Sequence, residues 1–294
     1  MPMQTLESEI TANDSPQVAP NAATTPVVQY ARAFVGLLLR DLHVLRREKI
    51  PFLIRVCMNP LLFLFVFTYI MPHMSGGAAL NPTAAMAGVN FSTVLLPGLM
   101  AVAIMFSGIA AVALPLAQEF GITREIDDRV MCPLPVAAVA VEKIIFSAVQ
   151  SMIAAALVFP LAYYMPATPV YAHVNSWPFL ILVLALASLT SGALGLVIGT
   201  SVKPPQISLI FGTVVMPITF LGCVYYPWSQ LASIHWLQMA VLINPIVYMS
   251  EGLRAALTPG LKHLNPLPII AMLTCSLVLL TWFGIKGFLR RVIS

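Results

Sequence analysis

QEFGITREIDDRVMCPLPVAAVAVEK, residues Gln118–Lys143, lies between two long apolar runs. It holds five of the chain's eleven acidic residues, Glu119, Glu125, Asp127, Asp128 and Glu142. Ile122, Ile126 and Val130 recur every four residues. That spacing puts them on one face of a helix and turns Arg124, Glu125, Asp127 and Asp128 elsewhere. Pro133 and Pro135 end the helix, because proline lacks an amide proton and holds the residue before it out of helical geometry. A short charged amphipathic helix between apolar spans has the form of a docking segment, here 118–135.

Composition explains what surrounds it. The 294 residues are 59% hydrophobic and 9% charged, with a mean hydropathy of +0.90. Soluble domains carry about a quarter of their residues as charges, so lipid solvates most of this chain. Its basic pI, near 9.0, does not point to nucleic acid, since no soluble domain gathers the basic residues. Residues 1–26 contain Glu7, Glu9 and Asp14 but no basic residue and no apolar core. A secretory signal needs both, and the stretch reads instead as a disordered tail. Residues 27–294 read as one transmembrane domain.

Outward from the opening stretch, the apolar runs predict an all-α integral membrane protein of six spans. These cover about 50–71, 89–116, 139–164, 177–201, 206–226 and 268–285, several near the ~20 residues needed to cross the hydrocarbon. Asn59-Pro60 is expected to break the ladder of the first span locally, and Glu142-Lys143 to sit at the wet end of the third. In the fourth, Ser191, Gly195 and Gly199 recur every four residues and allow another helix to approach closely. Ahead of the first span, Tyr30, Phe34, Leu37, Leu38, Leu42 and Leu45 form an apolar face, with Arg32, Arg40, Arg46 and Arg47 largely off it. That is the pattern of a helix lying in the membrane interface.

Leu231–Met249 is apolar enough to suggest a seventh span, but Ser233, His235, Gln238 and Asn244-Pro245 interrupt it. A re-entrant helical hairpin over 229–257 fits better, because broken backbone at membrane depth survives only inside protein. Charge bias agrees. With both termini inside, thirteen of the fifteen basic residues lie inside and only Arg254 and Lys262 outside, as the positive-inside rule requires.

The inventory for chemistry is thin. No GxxxxGK[ST] phosphate loop, HExxH or GxSxG occurs, so the chain is expected neither to hydrolyse ATP nor to act as an enzyme. Cys57, Cys132, Cys223 and Cys275 are far apart, and His73, His173, His235 and His263 are scattered. No metal or cofactor is expected. The interiors of spans two to six contain no Asp, Glu, Lys, Arg or His, which argues against an ion-coupled carrier and leaves the energy source outside the chain.

Three features resemble the membrane subunit of type-2 ATP-binding-cassette exporters, the group of drug or antibiotic-resistance and polysaccharide-export permeases. One is the interfacial helix. The second is Glu119-x-Gly121, the mixed run Thr123-Arg124-Glu125 and the close Pro133-Leu134-Pro135. The third and most specific is Tyr226-Pro227, Leu231, Asn244-Pro245, Tyr248, Glu251, Leu253 and Arg254. Leu95-Leu96-Pro97-Gly98 is similar as well. The resemblance implies a homodimer, or a pair with a similar permease, above separate ATPase subunits that use ATP and magnesium. It implies that Glu119, Gly121, Ile122, Thr123, Arg124, Glu125, Ile126, Asp127, Asp128, Val130 and Pro133 form the ATPase-coupling helix. Asp127-Asp128 departs from the usual family pattern and bears on partner choice.

The same resemblance places Asn244, Pro245, Tyr248, Glu251 and Arg254 on the outer hairpin. Read from spacing alone, Glu251 and Arg254 are a helix-surface ion pair worth under about 0.5 kcal/mol. Phe65, Tyr69, Phe211, Met216 and Phe220 are candidates for a substrate path. The expected protein is an inner-membrane exporter permease for a hydrophobic or amphipathic small molecule. Alternatives are a lipid-linked polysaccharide permease and an ATP-independent carrier or scramblase.

Overall fold

A computed structural model describes residues 26–70, 73, 91–123, 134–164, 173–258, 260 and 263–293. The expectations for the tail, for the loop after the first span and for coupling residues 124–133 fall outside them. Within them the chain is helical throughout: α1 (Pro26–Arg47), α2 (Lys49–Leu64), α3 (Phe91–Gln118), α4 (Val136–Tyr164), α5 (Trp177–Ser201), α6 (Ile207–Ile210), α7 (Met216–Phe220), α8 (His235–Ala240), α9 (Pro245–Leu257) and α10 (Pro266–Ile293). Four of them, α3, α4, α5 and α10, are long and apolar enough to cross a membrane. The molecule is a multi-span bundle.

α3 is its axis. Buried residues make up 83% of its apolar window, against 17% for α10, so α3 is enclosed by protein while α10 shows most of its surface to the outside. α3 packs chiefly on α5 and α4, and α9 fits against α3, α5 and α10. Small residues permit the closest of these contacts. A Cβ on Gly195 would stand 2.9 Å from the Ile109 Cα, and one on Gly199 would stand 3.2 Å from the Ala113 Cα. The stripe that begins at Ser191 therefore brings α5 onto α3. Two hydroxyls near this seam donate to their own helices, Ser147 of α4 to the Ile144 carbonyl at 2.7 Å and Ser191 of α5 to the Ser188 carbonyl at 2.8 Å. They are satisfied without water, as an apolar medium demands.

Several expected boundaries shift. The first span keeps its helix through Pro60 and widens only afterwards, into a π-helical turn at Phe65–Ile70. The fifth breaks into α6, a π-turn at Phe211–Val215 and α7, ending at Phe220 rather than 226. At about 1.5 Å per residue, 207–220 reaches ~21 Å, short of a ~30 Å hydrocarbon core. Gly212 and Pro217 both fall in this interrupted piece. The last helix runs eight residues past 285 and carries Lys286, Arg290 and Arg291. Glu142 and Lys143, near the start of α4, are buried in the bundle, at 0% and 5% exposure.

The stretch that tempted a seventh span is two short helices with 3-10 turns at Trp228–Ser233 and Val241–Ile243. α9 starts anew at Asn244-Pro245. The Asn244 Oδ1 accepts the Ile246 N–H at 3.1 Å, which caps the new helix, and proline fills the first position, where no amide bond is lost.

Candidate functional site

Glu251 and Arg254 lie one turn apart on α9, pair directly, and are both fully buried. This is not the surface pair that their spacing suggested. The Glu251 carboxylate also accepts the Trp228 N–H at 2.9 Å and the Leu264 N–H at 3.2 Å. Arg254 Nη2 donates to the Cys223 carbonyl at 3.2 Å. One ion pair thereby ties the turn after α7, the start of the 3-10 turn at Trp228–Ser233 and the approach to α10.

The other motif residues serve the same junction. Asn244 Nδ2 donates to the Ile218 carbonyl at 2.6 Å, and the Tyr248 hydroxyl donates to the Leu242 carbonyl at 2.9 Å. Ser250 donates to the Gly222 carbonyl at 2.8 Å. Sequence reading missed Cys223, Trp228 and Ser250. Cys223 adopts φ 52°, the left-handed region that a non-glycine residue enters only when its surroundings hold it there.

A second cluster sits at the end of the bundle that carries Arg290 and Arg291. Lys143 Nζ donates to Glu119 Oε1 at 2.8 Å, with side-chain exposures of 5% and 6%. The pair closes the base of the segment between α3 and α4, whose outgoing turn is a π-helix, Glu119–Thr123. Arg291 donates to the Gly199, Thr200 and Val202 carbonyls at 3.0, 3.3 and 2.7 Å, capping α5. Its guanidinium also lies 4.6 Å from the Phe120 ring centre, close enough for a cation–π contact. Phe120 in turn meets Phe288 edge-on at 6.0 Å. Of the coupling candidates, the structure describes Glu119 and Gly121 fully and only the backbone of Ile122 and Thr123. Arg124, Glu125, Ile126, Asp127, Asp128, Val130 and Pro133 lie outside the described residues.

The five path candidates lie at several places in the described structure. Phe65 and Tyr69 stack at 5.5 Å and are exposed. Met216 and Phe220 are exposed too, Phe220 lying 5.7 Å from Tyr225, itself 5.4 Å from Phe63. Phe211 lines a cavity of about 290 Å³, together with Val56 and Pro60 of α2 and Phe106, Ser107 and Leu114 of α3. The α3 residues were unmarked in sequence because an enclosed span has no polar face to betray its inner side. A larger space of about 730 Å³ opens between α1–α2 and α3–α4, with Arg40, Asp41, Glu48, Gln118, Glu119 and Gln150 in its wall. Among the described residues no three His, Cys, Asp or Glu side chains gather as a metal site requires.

The described residues form an all-helical bundle with several helices long and apolar enough to cross a membrane. The profile of the ABC-2 type transporter family matches residues 32–258. That is more than half of the chain, and the chain belongs to this family. No curated protein matches it. Proteins of the family are non-catalytic permeases that partner with an ABC ATPase, so this chain is a transport subunit and not an enzyme.

Proposed function

We propose that the chain is the permease of an ATP-driven exporter that moves a hydrophobic or amphipathic small molecule outward across the inner membrane. The observation that carries this reading is the cavity at Phe211. Its walls are almost wholly apolar, with Ser107 the exception among its side chains. Binding sites for small molecules combine such walls with few polar groups. A polysaccharide would find almost no hydrogen-bonding partner there. Two copies of the chain, as a homodimer or with a similar permease, would carry one such cavity each.

In the proposed topology six spans place both termini and the 118–135 segment in the cytoplasm. The Arg291–Phe120 contact supports a shared side for that segment and the C-terminus, since it joins the start of the segment to the basic end of the last helix. ATP and magnesium would be used in the separate ATPase. Its closure can drive the permease only if docking differs in energy between inward- and outward-open states. Ile122, Ile126 and Val130 would seat the coupling helix, while the surrounding charges set partner choice. The region 229–257 would form the re-entrant hairpin on the outer side.

The test is co-purification with the ATPase followed by dye extrusion from vesicles. Ile126→Asp puts a charge into an apolar contact and is expected to cost about 2–4 kcal/mol of docking, abolishing capture and ATP-dependent extrusion. Unchanged capture and extrusion would remove Ile126 from the interface. Transport by the purified chain without ATPase would favour a secondary carrier, and loss of surface glycan on deletion would favour the polysaccharide reading. For topology, a cysteine introduced by Ser294→Cys is expected to react only with reagents admitted to the cytoplasmic side. Labelling from outside would require an odd number of spans.

A further inference from the structure

On the side of α1 away from the larger cavity, a groove of about 610 Å³ runs between α1, α2 and α4. His43, Arg46 and Lys49 rim it where α1 meets α2, and Leu53, Ile153 and Leu157 are among its apolar walls. No acidic side chain lines it. The space on the opposite side of the same junction differs, because Asp41, Glu48 and Glu119 there offset Arg40.

We propose that this groove is a binding site for an anionic glycerophospholipid. The three basic groups would meet the headgroup phosphate, and an acyl chain would lie along α2 and α4. Neither half of the site suits another occupant as well. A free phosphate would leave the apolar walls in contact with water, and a neutral apolar molecule would leave the cations unmatched. Charge at one end and apolar surface along the rest match a lipid whose two parts divide in the same way. A bound lipid would buttress α1 against the bundle, since the same molecule touches α1, α2 and α4. The proposal depends only on the chain being embedded in a membrane and not on the identity of its cargo.

The purified full chain, stripped of lipid in detergent, is to be mixed with equal amounts of phosphatidylglycerol and phosphatidylcholine and examined by native mass spectrometry. Phosphatidylglycerol is expected to be retained preferentially. Each basic residue contributes about fivefold, so the Arg46→Ala/Lys49→Ala variant is expected to lose roughly 25-fold in preference. Leu157→Trp, which fills the groove, is expected to lower retention of both lipids. Arg40→Ala, on the other side of α1, is expected to leave the preference unchanged. Equal retention of the two lipids by the wild-type chain would overturn the proposal, as would a preference that survives the double variant. Displacement of the lipid by inorganic phosphate at equal concentration would also overturn it, by identifying a phosphate site.

Discussion

Glu251→Ala is expected to remove about 3–5 kcal/mol of stability, the cost of leaving a buried charge without its partner. Arg254 has no exposed surface, so water cannot replace the lost carboxylate. The same deletion takes the acceptor from the Trp228 and Leu264 amides. A surface pair at the same spacing would lose under about 0.5 kcal/mol, so the two readings of this pair differ by roughly tenfold. The measurement is the temperature at which the detergent-solubilised chain loses its monodisperse chromatographic peak. A Glu251→Met/Arg254→Met double variant is expected to recover much of the loss, because it removes both desolvation penalties while keeping apolar volume. If Glu251→Ala melts with the wild type, the pair does not hold the junction.

That contrast also shows where the sequence was legible. Long apolar runs announced α3, α4, α5 and α10, because a single segment satisfies its own backbone polar groups in lipid only as a helix. The spacing of Ser191, Gly195 and Gly199 identified a contact face, and Asn244-Pro245 identified a helix start, since both depend on local geometry. Partnerships between distant residues were not legible. Glu119 and Lys143 stand at the two borders of one charged stretch, and only the fold brings them to 2.8 Å. Glu251 and Arg254 were visible as a pair but not as buried, because burial is decided by Cys223, Trp228 and Leu264, far from them in sequence. Lys286, Arg290 and Arg291 were read as following the last span. Arg291 lies within α10 and caps α5 through carbonyls 92, 91 and 89 residues away. Of the cavity's lining, only Phe211 was marked in the sequence as a path candidate, since the part contributed by α3 looks like any buried span.

Gly98→Ala is expected to destabilise the chain by at least about 2 kcal/mol, although alanine is the better helix former. In an ordinary helix interior the exchange gains up to about 1 kcal/mol. Here the added Cβ would stand 1.9 Å from the Val224 carbonyl oxygen, 2.7 Å from its carbon and 2.9 Å from its Cα. These are backbone atoms, so no side-chain rotation relieves the clash, and overpacking of this kind costs 1–3 kcal/mol or more. The chain at Val224 has little freedom to retreat, because Cys223 beside it is held in left-handed geometry and bonded to Arg254. Gly36→Ala supplies the opposite sign. Nothing lies within 4 Å of its added methyl in α1, so the helix-propensity gain of about 1 kcal/mol stands alone. Thermal midpoints of the two variants should therefore move in opposite directions for one chemical change. Combined with Glu251→Ala, the Gly98→Ala loss should be less than additive, since each loosens the same turn and neighbouring sites couple. A Gly98→Ala midpoint at or above that of Gly36→Ala would mean that α3 does not approach Val224 so closely, and that the turn after α7 is not held against the bundle's central helix.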